Sequence, residues 1–211
     1  MNYLELLLKR YPDLTVCKKD IESVYQVLEN CYASGGKLLI AGNGGSCADS
    51  QHIVGELMKG FKLSRKCPKE FSQKLIGIDK ERGNALAESL QCGLAAISLS
   101  DHQALNTAFI NDVNCGGLLT YAQQVYGYGK AGDVFLGIST SGNSKNVINA
   151  AIVAKALDMK VIGLTGKTGG ELACFADAAI KVPETETFMI QELHLPIFHC
   201  LCLMLEQRFF G

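Results

Sequence analysis

The residues best suited to chemistry begin with a hydroxyl-rich turn, Ser139-Thr140-Ser141-Gly142-Asn143-Ser144, which holds four hydroxyls in six residues. An apolar run, Val134 to Ile138, precedes it, and a helical pattern from Asn146 to Leu157 follows. A turn of this kind opening on a helix N-terminus is an anion trap. Free backbone N–H groups, the positive end of the helix dipole and short hydroxyl side chains converge there. The turn contains no lysine, so neutral dipoles would hold a phosphate that must bind and leave at each turnover. A plain capping turn is the simpler alternative, but it needs only one hydroxyl.

Two further pairs carry acid, base or metal-ligand chemistry. His52 and Glu56 are four residues apart, so both project from one face of a helix. An imidazole and a carboxylate at that spacing can hold a divalent metal or work as an acid/base pair; an exposed ion pair is the ordinary alternative. Gln191 and His199 lie in the last helical stretch, where a histidine among Ile197, Phe198, Cys200 and Leu201 could equally be a core residue. Eight residues of helix rise about 12 Å and turn roughly 80°, too far for two ligands of one ion. Either one of them is idle, or Pro196 breaks the helix, or the site borrows one residue from a neighbouring subunit. The apolar terminal helix suits an oligomer interface and favours the last.

The elements that must position these groups are legible as alternating runs. Strand-length apolar segments lie at Lys37–Ala41, Ala95–Leu99, Val134–Ile138, Val161–Leu164 and Ala179–Val182. Helical spacing occupies Ile21–Ala33, Ser46–Lys59, Leu118–Tyr126, Asn146–Leu157 and Ile190–Phe210. The alternation predicts an α/β fold: a three-layer, doubly wound parallel sheet of about five strands flanked by helices. Ligands of such sheets bind at the carboxyl ends of the strands, where strand order reverses. Three strands lead into small-residue turns on that rim: Gly42-Asn43-Gly44-Gly45-Ser46, the hydroxyl turn, and Thr165-Gly166-Lys167. Residues 1–211 read as one domain, with an N-terminal helical segment over 1–35. The long charged stretch 62–93 reads as a helical insertion over the rim or a solvated excursion.

Composition narrows the function classes. A chain of 211 residues that is 48% hydrophobic can bury a sizeable core. A net charge of −1 without a basic block argues against nucleic acid or an anionic membrane surface. No run is read as approaching the ~20 apolar residues of a membrane span. Nine irregularly spaced cysteines without a CxxC pair fit reduced thiols in a cytoplasmic protein.

Taken together, the segments Ala41–Glu56, Asn111-Asp112, Gly132–Ser144, Leu164–Gly170 and Gln191–His199 resemble the sugar isomerase (SIS) fold family, and within it the bacterial phosphoheptose isomerases. The resemblance implies a phosphate site at Ser139, Thr140, Ser141 and Ser144, with Asn43, Gly44, Gly45, Ser46, Asn111, Asp112 and Gln191 also at the substrate. It implies one Zn²⁺ per site on His52, Glu56, Gln191 and His199, with Glu56 and His199 as acid and base in either order. A homotetramer with active sites shared between subunits is implied as well. The implied activity is ketose–aldose isomerisation of a sugar phosphate, sedoheptulose 7-phosphate to D-glycero-D-manno-heptose 7-phosphate, through an enediol with zinc as electrophile. A sugar-phosphate sensor, a non-catalytic SIS scaffold and an isomerase for another sugar phosphate are the alternatives. The pattern departs from the family at Phe188, where an aspartate is usual, and at Lys59-Gly60, where Gly-Arg is usual.

Overall fold

The computed structural model describes residues 2–211. Two N-terminal helices, α1 (Tyr3–Arg10) and α2 (Lys18–Ala33), are joined by a 3₁₀ turn over Pro12–Cys17. Strand β1 (Leu38–Gly42) then leads into α3 (Gly45–Met58), a helical hairpin α4 (Lys69–Ile78) and α5 (Lys80–Ser89), and the short strand β2 (Ala96–Ser98). Next come α6 (Gln103–Asp112), α7 (Gly116–Tyr128), β3 (Val134–Ser139) and α8 (Lys145–Ala156). The chain ends with β4 (Lys160–Thr165), α9 (Leu172–Phe175), β5 (Ala178–Lys181) and the long α10 (Thr187–Phe210).

All pairings in the sheet are parallel and the order is β2-β1-β3-β4-β5. The chain therefore winds in opposite directions from β1 and from β3, and the reversal falls between them. Both strands are buried along their whole length, as strands covered on two faces must be. Their side chains alternate between two cores. Leu38, Ile40, Val134, Leu136 and Ile138 pack with α1, α2, α3 and α10; Leu39, Ala41 and Phe135 pack with α7, α8 and α9. This is the three-layer parallel sheet of the sequence reading.

The stretch 62–93 contains two ten-residue helices that pack on each other, closed at the base by an antiparallel bridge between Lys66 and Gln91. Its only buried helical residue is Gly83, where a Cβ would lie 2.3 Å from the Leu75 carbonyl oxygen.

One expectation needs correction. Helix α10 is 24 residues long and apolar enough that by length and composition alone it could cross a membrane. Its apolar length has another use here. Ile190, Ile197, Phe198, Leu201 and Leu205 are buried in the core, and the helix packs on α1, α2 and α3. It also carries buried His194 and Glu206, which suits a core helix.

Candidate active site

The reversal point between β1 and β3 opens into a cavity of roughly 360 Å³. Its walls come from the turn after β1 (Asn43, Gly44, Gly45, Ser46), the turn after β3 (Ser139, Thr140, Ser144) and the first helical turns of α10 (Thr187, Gln191). The helices α3, α8 and α10 thus start at this cavity, and the dipoles of all three favour an anion there. Gly44 takes φ +56°, a left-handed conformation that glycine adopts without strain. Gly45 leaves room for Gln191: a Cβ there would stand 2.6 Å from Gln191 Nε2. Across the cavity floor, Ser139 Oγ and Ser144 Oγ are 2.9 Å apart. Asn43 and Asn146 exchange side-chain amide hydrogen bonds (2.9 and 2.8 Å), fastening the β1 turn to the start of α8. The Tyr121 hydroxyl donates to the Gly42 carbonyl at 2.7 Å and holds the same turn from below.

Helices α3 and α10 lie side by side, parallel and in register. Gly45 faces Gln191, and His52 faces His199, Nε2 to Nε2 at 3.3 Å. Glu56 Oε1 lies 3.3 Å from His52 Nε2, and its other oxygen is buried without a hydrogen-bond partner, 3.6 Å from Lys59 Nζ. Phe61 and Phe198 wall the two rings at centroid distances of 5.5 Å from His199 and 5.2 Å from His52. Burial, seconded by His52, pushes the His199 imidazole below its ordinary value; Glu56 pulls the other way. The imidazole is therefore neutral at neutral pH.

Donors around a tetrahedral zinc at ~2.0–2.1 Å stand about 3.3 Å from one another. Both measured separations at His52 have that value. The unpartnered Glu56 oxygen is a further fit of this donor set to a divalent ion. Among the described residues, however, no three His, Cys, Asp or Glu side chains of this chain form a closed metal cluster. The donors fit a divalent ion in kind and in two spacings.

Comparison with known proteins places the chain in a family. The phosphoheptose isomerase of Geotalea daltonii is 38% identical over 191 residues, which cover 90% of this chain and 85% of that protein. That of Helicobacter hepaticus is 39% identical over 188 residues, 89% of this chain and 82% of the other. The chain belongs to the phosphoheptose isomerase family. It is a sugar-phosphate isomerase by class. The structure of a phosphoheptose isomerase from Francisella tularensis superimposes with a TM-score of 0.76 at 30% identity, covering 97% of this chain and 95% of that one. The SIS domain model matches residues 80–166, which include the hydroxyl turn and exclude His52, Glu56, Gln191 and His199.

Of the positions that the phosphoheptose isomerase resemblance marks for substrate, Asn43, Gly44, Gly45, Ser46, Ser139, Thr140, Ser144 and Gln191 meet at one cavity. Ser141 does not line it: it is exposed, and its Oγ accepts the Asn143 N–H at 3.1 Å. Asn111 and Asp112, at the end of α6, are exposed and hydrogen-bond each other, outside the cavity walls. Gln191 is at the cavity while His52, Glu56 and His199 gather farther along the two helices. Helix α10 runs unbroken through Pro196, which removes the broken-helix alternative. Asn146, Tyr121 and Thr187 escaped the sequence reading. The Asn143-Ser144-Lys145-Asn146 run at a helix start was the one available signal, since an asparagine there can reach a neighbouring turn.

Proposed function

We propose that this chain interconverts a ketose phosphate and its aldose through an enediol, with sedoheptulose 7-phosphate and D-glycero-D-manno-heptose 7-phosphate as the pair. The relatives named phosphoheptose isomerase support this choice of substrate. The observation that carries the chemistry is the gathering of His52, Glu56 and His199 about two helical turns along α3 and α10 from the hydroxyl-lined cavity at which both helices start. Ser139, Thr140 and Ser144 with the helix N-termini bind the phosphate, fixing the carbon chain relative to the acid/base groups. Glu56, with one oxygen free of hydrogen bonds, takes the proton from the hydroxyl-bearing carbon beside the carbonyl. The electron pair forms the enediol double bond. Return of a proton to the neighbouring carbon gives the aldose. His199 is the partnering acid: it gives a proton to the oxygen of the original carbonyl as the enediol forms and takes one back from the other oxygen as the aldose carbonyl forms.

His52, Glu56 and His199 would hold a zinc ion, and a zinc ion held there would supply electrophilic polarisation of the substrate oxygen. Gln191 of a neighbouring copy would complete the donor set. The support is geometric: within one chain the continuous α10 keeps Gln191 at Gly45 and His199 at His52. The assembly that follows is a homo-oligomer, a tetramer by the family resemblance, with each site shared between subunits. All nine cysteines are free, as suits a reducing compartment such as the cytoplasm.

A turnover screen over pentulose, hexulose and heptulose phosphates, with and without added zinc, tests the reading. Aldose phosphate formed from the heptulose substrate is the expected result. Tight binding of that substrate without turnover would instead show a sensor.

A further inference from the structure

Arg65 belongs to no helix or strand, yet its side chain is fully buried. Its Nη1 donates to the Leu57 carbonyl at 2.6 Å and its Nη2 to the Glu56 carbonyl at 3.1 Å. These are carbonyls of the last turn of α3, which the helix itself leaves without partners. Its Nε donates to Glu206 at 2.9 Å, and its guanidinium lies 4.6 Å over the Phe210 ring. The Glu206 carboxylate also accepts the backbone N–H groups of Phe61, Lys62 and Leu63 (2.8, 2.9 and 3.2 Å). Glu206 lies seven residues beyond His199 on α10. That is close to two full turns, so both project from the same face.

We propose that Arg65 and Glu206 are positioning residues for the isomerisation, acting through Glu56 and His199. The inference rests on the functional reading above and extends it. The guanidinium grips the backbone of Glu56 itself, and Glu206 shares its helix face with His199. One planar fork therefore sets how far α3 can slide along α10. The same carboxylate pins Phe61, whose ring walls His199. Stability alone gives little reason for this arrangement, because buried ion pairs are commonly replaceable by apolar residues without loss. A directional donor to two carbonyls and a directional acceptor for three N–H groups are what an apolar pair would lack.

The test uses the full-length protein in its assembled, zinc-supplemented form, with R65K, E206Q and the paired change R65M/E206M. Turnover in R65K and E206Q should fall about a hundredfold, since displacement of reacting groups by ~1 Å costs that much. KM should stay within about twofold, because the phosphate is held by the turns after β1 and β3. The paired change should return Tm toward the native value and leave kcat low. Crystal structures of the variants should show the His52 and His199 Nε2 atoms moved from their 3.3 Å separation. Recovery of kcat together with Tm in the paired variant would make the pair merely structural. So would an unchanged separation in R65K and E206Q, which decides the matter if the paired variant fails to fold. If the native chain turns over no ketose phosphate, the isomerase reading fails, and the histidine separation still judges this inference.

Discussion

Side chains that share one short turn here have different work to do. Ser139 and Ser144 face each other at the cavity, whereas Ser141 accepts the N–H of Asn143 and stabilises the turn. The paired replacement S139A/S144A should raise KM at least about a hundredfold, since each hydrogen bond lost to a charged group is worth ~1.5–3 kcal/mol. S141A should leave KM within about threefold, and steady-state kinetics with calorimetry separate the two. Gly45 makes a second test. Alanine there would displace the flexible end of Gln191 by contact at 2.6 Å, a small demand on the fold and a direct one on the site. G45A should lower kcat strongly with little change in Tm; full activity would remove Gln191 from the reaction. The hydroxyl turn was legible in sequence because its residues are consecutive. The in-register meeting of His52 with His199 was not, because 147 positions separate them and only the packing of two helices brings them together.

Among the elements, β1 to β5 were legible because each is a short, largely apolar run bounded by turn residues; β1, β3 and β4 are buried almost throughout, and the edge strands β2 and β5 only in part. Helix α6 was missed for the opposite reason: it buries no residue and has no side-chain cap, so neither periodicity nor capping marks it. Helix α10 was legible from Ile190 to Phe210, but its apolar length was underread, since Glu192, His194, Glu206 and Arg208 interrupt it. One junction of elements makes a pH prediction. Asp177, just before β5, ties Val161 N–H on β4 to Lys155 on α8 and to Lys160. Burial pushes its carboxyl upward, but the Val161 N–H and the two lysines more than offset this and hold it below the ordinary carboxylate value. A carboxyl lowered on folding stabilises fully above its unfolded value near 3.8, and that contribution is lost as pH falls through the folded value. Tm should therefore drop between about pH 5 and pH 3 more steeply in the native chain than in D177N. Parallel pH profiles would refute this.

At the scale of the whole molecule, the proposed metal site would make assembly a condition of activity, because an unbroken helix separates Gln191 from His199. Q191A and H199A chains, each inactive alone, should recover part of the activity when mixed and reassembled, because some sites then draw both intact residues from different copies. Continued inactivity despite proven subunit exchange, or an active monomer, would end the shared-site reading. A chelator should abolish turnover and zinc should restore it; undiminished turnover in metal-free protein would leave His52, Glu56 and His199 with acid/base work alone. The register of α3 against α10 also limits how this chain can change in length over evolutionary time. One residue inserted between Gln191 and His199 would rotate everything beyond it by about 100°. It would swing His199 away from His52 and carry Glu206 off Arg65. Insertions and deletions are thus confined to positions outside the two helices, and the α4–α5 hairpin, joined between α3 and β2, lies where additional chain does not disturb that register.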